Sequence, residues 1–171
     1  MKFGEKEKEE TATTKWLNKK QKTMSTYTQI LYQIVFSTKH REKTLIKETR
    51  PELFKDIWGV LKNKKCHLYQ IGGTEDHLHI ITSIHPSVAL ASLVKDIKLG
   101  GTSLIKEKKI FQHFNGWQDG YAAFTYSTEA KNNLIEYVNN QEAHHHKKTF
   151  KDELIELLKE HGVKYDEKYL E

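Results

Sequence analysis

Between Thr28 and Ser37, apolar residues fall at every second position: Ile30, Tyr32, Ile34 and Phe36 share one face, while Leu31 and Val35 lie among polar residues on the other. A period of two with apolar residues on both faces predicts a central strand. Thr49, Pro51 and Glu52 then form a helix-start signature ahead of a Leu53, Ile57, Val60 and Leu61 stripe, predicting a helix that ends in Lys62 to Lys65. His67 to Ile71 and His77 to Ile84 read as two strands joined across Gly72-Gly73, the spacing of a hairpin. Ser87 is the expected cap of a second helix carrying Leu90, Val94 and Ile97, which Gly100-Gly101 should terminate or kink. A fourth strand is predicted from Tyr121 to Tyr126, a third helix from Thr128 to Glu142, and a last helix from Phe150 to Glu160, closing at Gly162.

This order of elements matches an α+β fold, a ferredoxin-like antiparallel sheet with helices on one face, plus C-terminal helices. Residues 1–23 hold seven Lys and four Glu with scattered apolar residues, a composition unable to bury much surface. They read as a loosely ordered basic tail, whose deletion should cost little stability, and 24–171 as a single domain. Met24 is a candidate translation start. A length of 171 residues with 37% hydrophobic content suits one core and is short for two.

Charge and cysteine content narrow the class. The 28 Lys and Arg against 23 Asp and Glu give a formal charge of +5 and a pI near 9.1, which favours a polyanionic partner without specifying one. Cys66 stands alone, excluding an internal disulfide and a thiolate zinc cage, and fits a reducing cytoplasm. No apolar run reaches about 18 residues, so no membrane span is expected. A cytoplasmic, soluble protein is the expectation.

In Glu75-Asp76-His77-Leu78-His79-Ile80, the strand period puts both imidazoles on one face and Leu78, Ile80 and Thr82 on the other. Two convergent imidazoles can seat a divalent cation with coordination positions left open, as Lewis-acid chemistry needs. An isolated His-x-His pair is more often two exposed strand histidines. Histidines 144 to 146, followed by Lys147 and Lys148, read as a charged, solvated turn. Tyr137 and Gln141 stand four residues apart on one helix face. A tyrosine hydroxyl is a competent nucleophile toward phosphorus once a metal polarises the scissile group. Taken alone, Tyr137 beside Leu134 and Val138 is more often a core-edge residue. Lys39, Arg41 and Lys43 after the first strand, with Lys95 and Lys98 in the second helix, could track a phosphate backbone, and Trp117 or Tyr121 could stack a base. Cys66, beside a strand, reads as core filler.

Taken together, Glu75-Asp-His-Leu-His-Ile, the run Trp117-Gln-Asp-Gly-Tyr-Ala-Ala-Phe-Thr-Tyr-Ser, and Tyr137-Val-Asn-Asn-Gln141-Glu resemble the HUH-type single-tyrosine transposases of the insertion-sequence-200 family. The resemblance runs from about Tyr27 to Gln141, and the remaining tail resembles a subgroup of genomic relatives of these enzymes. It implies His77, His79 and Gln141 as ligands of Mg²⁺ or Mn²⁺ and Tyr137 as nucleophile on a mobile helix. The implied substrate is a single-stranded DNA hairpin, cut through a 5′-phosphotyrosine and rejoined without a nucleotide cofactor. A two-fold homodimer with composite sites is implied as well. Thr74-Glu75 replaces the Met-Pro pair that often precedes Asp-His in the family, and the C-terminal tail is longer.

Two other classes use parts of this pattern. A replication-initiator-like nickase shares the His pair and a tyrosine, usually in longer chains with a third histidine or paired tyrosines. A non-catalytic nucleic-acid-binding ferredoxin-like module would be expected to carry the aromatic-rich RNP1 pattern in place of a His pair.

Overall fold

A computed structural model describes residues 26–145 and 148–170. The tail at 1–23 and His146 lie outside the described residues. Four strands, β1 (Leu31–Ser37), β2 (His67–Gly73), β3 (His77–Ser83) and β4 (Ala122–Tyr126), form one sheet in the order β2-β3-β1-β4. Every neighbouring pair is antiparallel. β1 is therefore flanked on both edges and, as its two-sided apolar pattern predicts, buried on both faces.

One face is covered by the two crossover helices, α1 (Arg50–Asn63) and α2 (Leu90–Lys108). Ile34, Phe36, Leu78 and Ile80 of the sheet meet Leu53, Ile57, Leu93 and Ile97 of these helices in the main core. The opposite face is covered too, by α3 (Lys131–Asn139), the short α4 (Gln141–His145) and α5 (Phe150–Glu160). Leu31 and Ile81 pack with Leu134 and Val138 there. Val35 and Phe124 pack with Phe150, Leu157 and Leu158. The C-terminal helices thus build a second layer over the face that carries the histidines.

Gly100-Gly101 neither ends nor interrupts α2, which runs 19 residues through both. A Cβ at Gly101 would stand 3.1 Å from Leu53 Cδ1, and one at Gly100 3.3 Å from Val60 Cγ2. Close packing of α2 on α1 thus offsets the roughly 1 kcal/mol that each glycine costs in a helix interior. The helix ends instead at Lys109, in left-handed conformation.

The helix start expected at Thr49 is met, α1 opening at Arg50, but neither Thr49 nor Ser87 caps its helix through a side-chain hydrogen bond. Ser87 Oγ pairs with His85 Nδ1 at 2.8 Å and Ala89 precedes the helix. Thr49 Oγ1 donates to the Ile110 carbonyl, tying the start of α1 to the end of α2. The single helix expected from Thr128 to Glu142 is a 3-10 turn (Thr128–Ala130), then α3, a break at Asn140, and α4. Adjacent Asn139 and Asn140 have side chains that compete for backbone groups, which weakens a helix there. α5 spans the predicted residues, with Thr149 capping it by accepting from the Asp152 amide. No helix among the described residues is long and apolar enough to cross a membrane.

Candidate active site

Alternation along β3 sends His77 and His79 to the face beneath α3 and α5, and both are 0% exposed. They are not the exposed strand pair that an isolated motif would suggest. Their ring centroids lie 5.1 Å apart. His77 Nδ1 sits 2.6 Å from Asp76 Oδ1 and 2.9 Å from Thr74 Oγ1, so the carboxylate holds the Nδ1 proton and the Nε2 lone pair is turned into the site. His79 Nδ1 lies 3.0 Å from the Gln33 amide, whose oxygen accepts from Tyr126 OH at 2.7 Å. With the Gln33 amide turned over, its oxygen would take an Nδ1 proton and its nitrogen would donate to the Tyr126 oxygen, and the His79 Nε2 lone pair would likewise face the site.

Both Nε2 atoms face a carboxylate that the sequence reading did not single out. Glu153 Oε2, from the first turn of α5, stands 3.5 Å from His77 Nε2 and 3.4 Å from His79 Nε2. Together the three residues offer ligand atoms within 4.8 Å of one another. Gln141 completes the group: its Oε1 is 3.3 Å from His77 Nε2, and its Nε2 donates to Glu153 Oε1 at 2.9 Å. Two imidazoles, a carboxylate and an amide oxygen suit a divalent first-row ion or Mg²⁺. The fold therefore brings together the three residues expected as ligands, His77, His79 and Gln141, and sets Glu153 among them.

Tyr137 OH donates to Glu153 Oε1, and its ring meets His79 edge-on at 5.9 Å. Burial, and then the adjacent Glu153 charge, push this phenol's pKa well above the ordinary tyrosine range. Phe150 stacks on His77 with centroids 4.3 Å apart and closes the site from the side of α5.

Glu153 left one trace in the sequence. It falls with Phe150 and Leu157 on the buried stripe of α5, an acid where the pattern calls for an apolar residue. Buried glutamates are rare unless partnered. Gln33 is the equivalent trace in β1, a polar residue between Leu31 and Val35 on the site face.

The expected DNA-contacting residues separate into groups. Arg41 and Lys43 line a cavity of ≈ 820 Å³ beside Asp76 and Phe150. Lys39 and Lys95 are exposed. Lys98 donates to the carbonyls of Gln118 and Gly120 at 2.8 and 2.5 Å, and burial lowers its pKa. Trp117 donates to the Lys98 carbonyl and packs edge-on against Phe36 and Phe114. Those two residues hold the loop before β4 onto the core. Tyr121 lies on the rim of a more apolar cavity of ≈ 490 Å³ between that loop and α5. Cys66 is buried and free, as core filler should be.

Residues 26–141 match a family model described as "Transposase IS200 like". Among solved structures, the chain is similar to a Deinococcus radiodurans R1 protein assigned as a transposase, at 20% identity and a TM-score of 0.52. That match covers 67% of this chain and 93% of the other. It is also similar to a REP-associated tyrosine transposase bound to a REP hairpin, at 17% identity and a TM-score of 0.55, covering 71% and 74%. At such identities the likeness shows the fold, the α+β sheet with its helices. No curated protein matches the chain.

Proposed function

The chain belongs to the IS200-like transposase family, and on that premise we propose that it cleaves and rejoins single-stranded DNA at hairpin ends through a Tyr137 phosphotyrosine. One observation carries the reading: His77, His79 and Glu153 converge within 4.8 Å, and Tyr137 OH donates to the same Glu153 carboxylate. His77, His79 and Glu153, with Gln141 beside them, would hold Mg²⁺ or Mn²⁺. A cation there would polarise the scissile phosphate and offset the carboxylate charge that keeps the phenol protonated.

Glu153 Oε1 is the acceptor placed to take the Tyr137 proton as the phenol oxygen bonds to phosphorus. The bond from phosphorus to the 3′ oxygen breaks, and that oxygen leaves as a hydroxyl, taking its proton from solvent. Rejoining reverses the exchange: a 3′-hydroxyl attacks the phosphotyrosine, and Tyr137 regains its proton. Since the phosphotyrosine retains the ester bond, no nucleotide cofactor is needed. Both imidazoles are fully buried, so a strand gains access only when α3 and α4, or the first turn of α5, move.

Two-fold pairing of copies suits a reaction that holds two DNA ends and is part of the proposal. The resemblance implied composite sites, whereas here Tyr137 reaches the His pair of its own chain. Each copy would therefore carry a complete site.

The test is a single-stranded hairpin carrying a suicide cleavage site, incubated with Mn²⁺. A covalent adduct mapped by mass spectrometry to Tyr137, absent in Tyr137→Phe and in excess chelator, is expected. An adduct on Tyr126 or Tyr121, or cleavage in chelator, would overturn the assignment.

A further inference from the structure

His77 and His79 share one strand face, yet their Nδ1 atoms meet different chemistry. His77 Nδ1 faces the Asp76 carboxylate at 2.6 Å, a group that can only accept when ionised. The proton of that ring is therefore held at Nδ1. His79 Nδ1 instead meets the side-chain amide of Gln33 at 3.0 Å, and an amide can present either a donor or an acceptor. Which end it presents decides where the proton of His79 sits.

That choice is made one strand further on. Gln33 stands opposite Ile81 of β3 and Phe124 of β4, so His79 and Tyr126, each two residues along, are its diagonal neighbours on the same face. Tyr126 OH donates to Gln33 Oε1 at 2.7 Å. With the oxygen turned to Tyr126, the amide nitrogen is the end left for His79, and it donates to Nδ1. A neutral imidazole that accepts at Nδ1 carries its proton on Nε2, here the atom facing Glu153 Oε2 at 3.4 Å. The two rings are thus held in opposite tautomers: His77 turns a lone pair into the site, and His79 an N–H.

The relay has little freedom. Gln33 and His79 are both 0% exposed, and among the described residues the Tyr126 hydroxyl makes no other hydrogen bond. The Tyr126 ring is held edge-on against His161 at 4.9 Å and packs with both C-terminal apolar clusters. A cation on His79 Nε2 needs the other tautomer, with Nδ1–H donating to Gln33 Oε1. The amide must then turn over, its nitrogen donates to the Tyr126 oxygen, and the phenol proton loses its acceptor. Tyr126 therefore opposes the ligand form of His79 through the direction of one hydrogen bond.

We propose that Tyr126 is a positioning residue which, through Gln33, holds His79 in the Nε2–H tautomer, so that a cation takes Nε2 only when the Tyr126–Gln33 hydrogen bond reverses. The proposal deepens the metal reading of the same site and rests on it, although the tautomer is set without metal. Gln33 and Tyr126 then act with opposite sign: the amide is needed to hold a ligated His79, and the phenol resists the ligation.

Imidazole ¹⁵N shifts of the whole chain in chelator read the tautomers directly. His77 should show Nδ1–H and His79 Nε2–H. In Tyr126→Phe no hydroxyl orients the amide, so His79 should shift toward the Nδ1–H form while His77 stays as it is. Mn²⁺ affinity of Tyr126→Phe, measured by calorimetry, should rise about fivefold, the equivalent of one unsatisfied hydroxyl, whereas a loss of packing would lower it. A wild-type His79 already in the Nδ1–H form, a variant with an unchanged tautomer, or weaker Mn²⁺ binding by the variant would overturn the proposal. A second measurement needs no variant. In the wild type, Mg²⁺ should move the Tyr126 ¹³Cζ resonance as the hydroxyl passes from donor to acceptor. Ligation of His79 with that resonance fixed would overturn the proposal even if Tyr126→Phe did not fold. If neither protein binds a cation while His79 responds to Tyr126→Phe as stated, the positioning role stands and the metal reading falls.

Discussion

Tyr137 and Glu153 share one hydrogen bond across two helices: the phenol of α3 donates to Oε1 of a carboxylate on α5, whose Oε2 faces Nε2 of both His77 and His79. The proposed nucleophile and the proposed metal seat are therefore coupled through a single side chain. Glu153→Gln keeps the shape and removes the charge. Mn²⁺ affinity, measured by calorimetry or by the spin resonance of free ion, should fall at least about tenfold, the range for a lost polar partner at a metal site. Unchanged affinity would remove Glu153 from the ligand set.

Alkaline pH gives a second expectation. Burial raises the pKa of both Tyr126 and Tyr137, with Glu160 adding to the first and Glu153 to the second. A phenol whose folded pKa lies above its unfolded value, about 10, leaves stability intact below that pH. Above it, the unfolded chain releases protons that the folded chain keeps, so stability falls. Urea midpoints should hold between about pH 7 and 9 and drop beyond about 10. The drop should be smaller in Tyr137→Phe, and an identical drop in both proteins would contradict the burial argument.

Gly72 lies under α3, where a Cβ would stand 2.5 Å from the Val138 carbonyl oxygen and 2.8 Å from Val138 Cγ1. One of these contacts is backbone, so α3 itself must shift. Gly72→Ala should destabilise the fold by about 1–3 kcal/mol, the usual cost of overpacking. It should also slow adduct formation at temperatures where the protein stays folded, because Tyr137 is the residue before Val138. Denaturant unfolding and single-turnover cleavage check the two parts separately.

Gln33 connects Tyr126 to His79, and all its surface is buried. Gln33→Leu leaves an imidazole nitrogen and a phenol without that partner, at about 1–3 kcal/mol for each unsatisfied group. Metal affinity should fall about 10- to 100-fold, since the tautomer of His79 is no longer set. A variant that loses stability but binds Mn²⁺ as the wild type does would show that Gln33 only packs.

Because Tyr137 lies beside the His pair of its own chain, mixing Tyr137→Phe with a His77→Ala, His79→Ala double variant should not restore cleavage. Recovery in proven heterodimers would show that the tyrosine acts on its partner's site.

The order of amino acids was enough to place four strands, because a period of two is a local property that survives any later packing. The shared face of His77 and His79 follows from the same geometry. α5 was legible as well, because its apolar stripe is a local pattern of helical period. Local pattern placed the start of α1 after Thr49 correctly but misjudged Gly100-Gly101, where the close approach of α1 to α2 decided the outcome, and Ser87, whose hydroxyl found another partner. It could not tell whether the histidine face lay open, nor what would cover it. An acid in a helical stripe reads as an imperfection until the helix is laid across a sheet. Tertiary packing alone set α5 on β1 and β4, brought Glu153 to both imidazoles and to Tyr137, and turned two strand histidines into a buried site. The physical reason is range: strand and helix periods are settled within a few residues, whereas a ligand set is settled by which distant faces must bury each other.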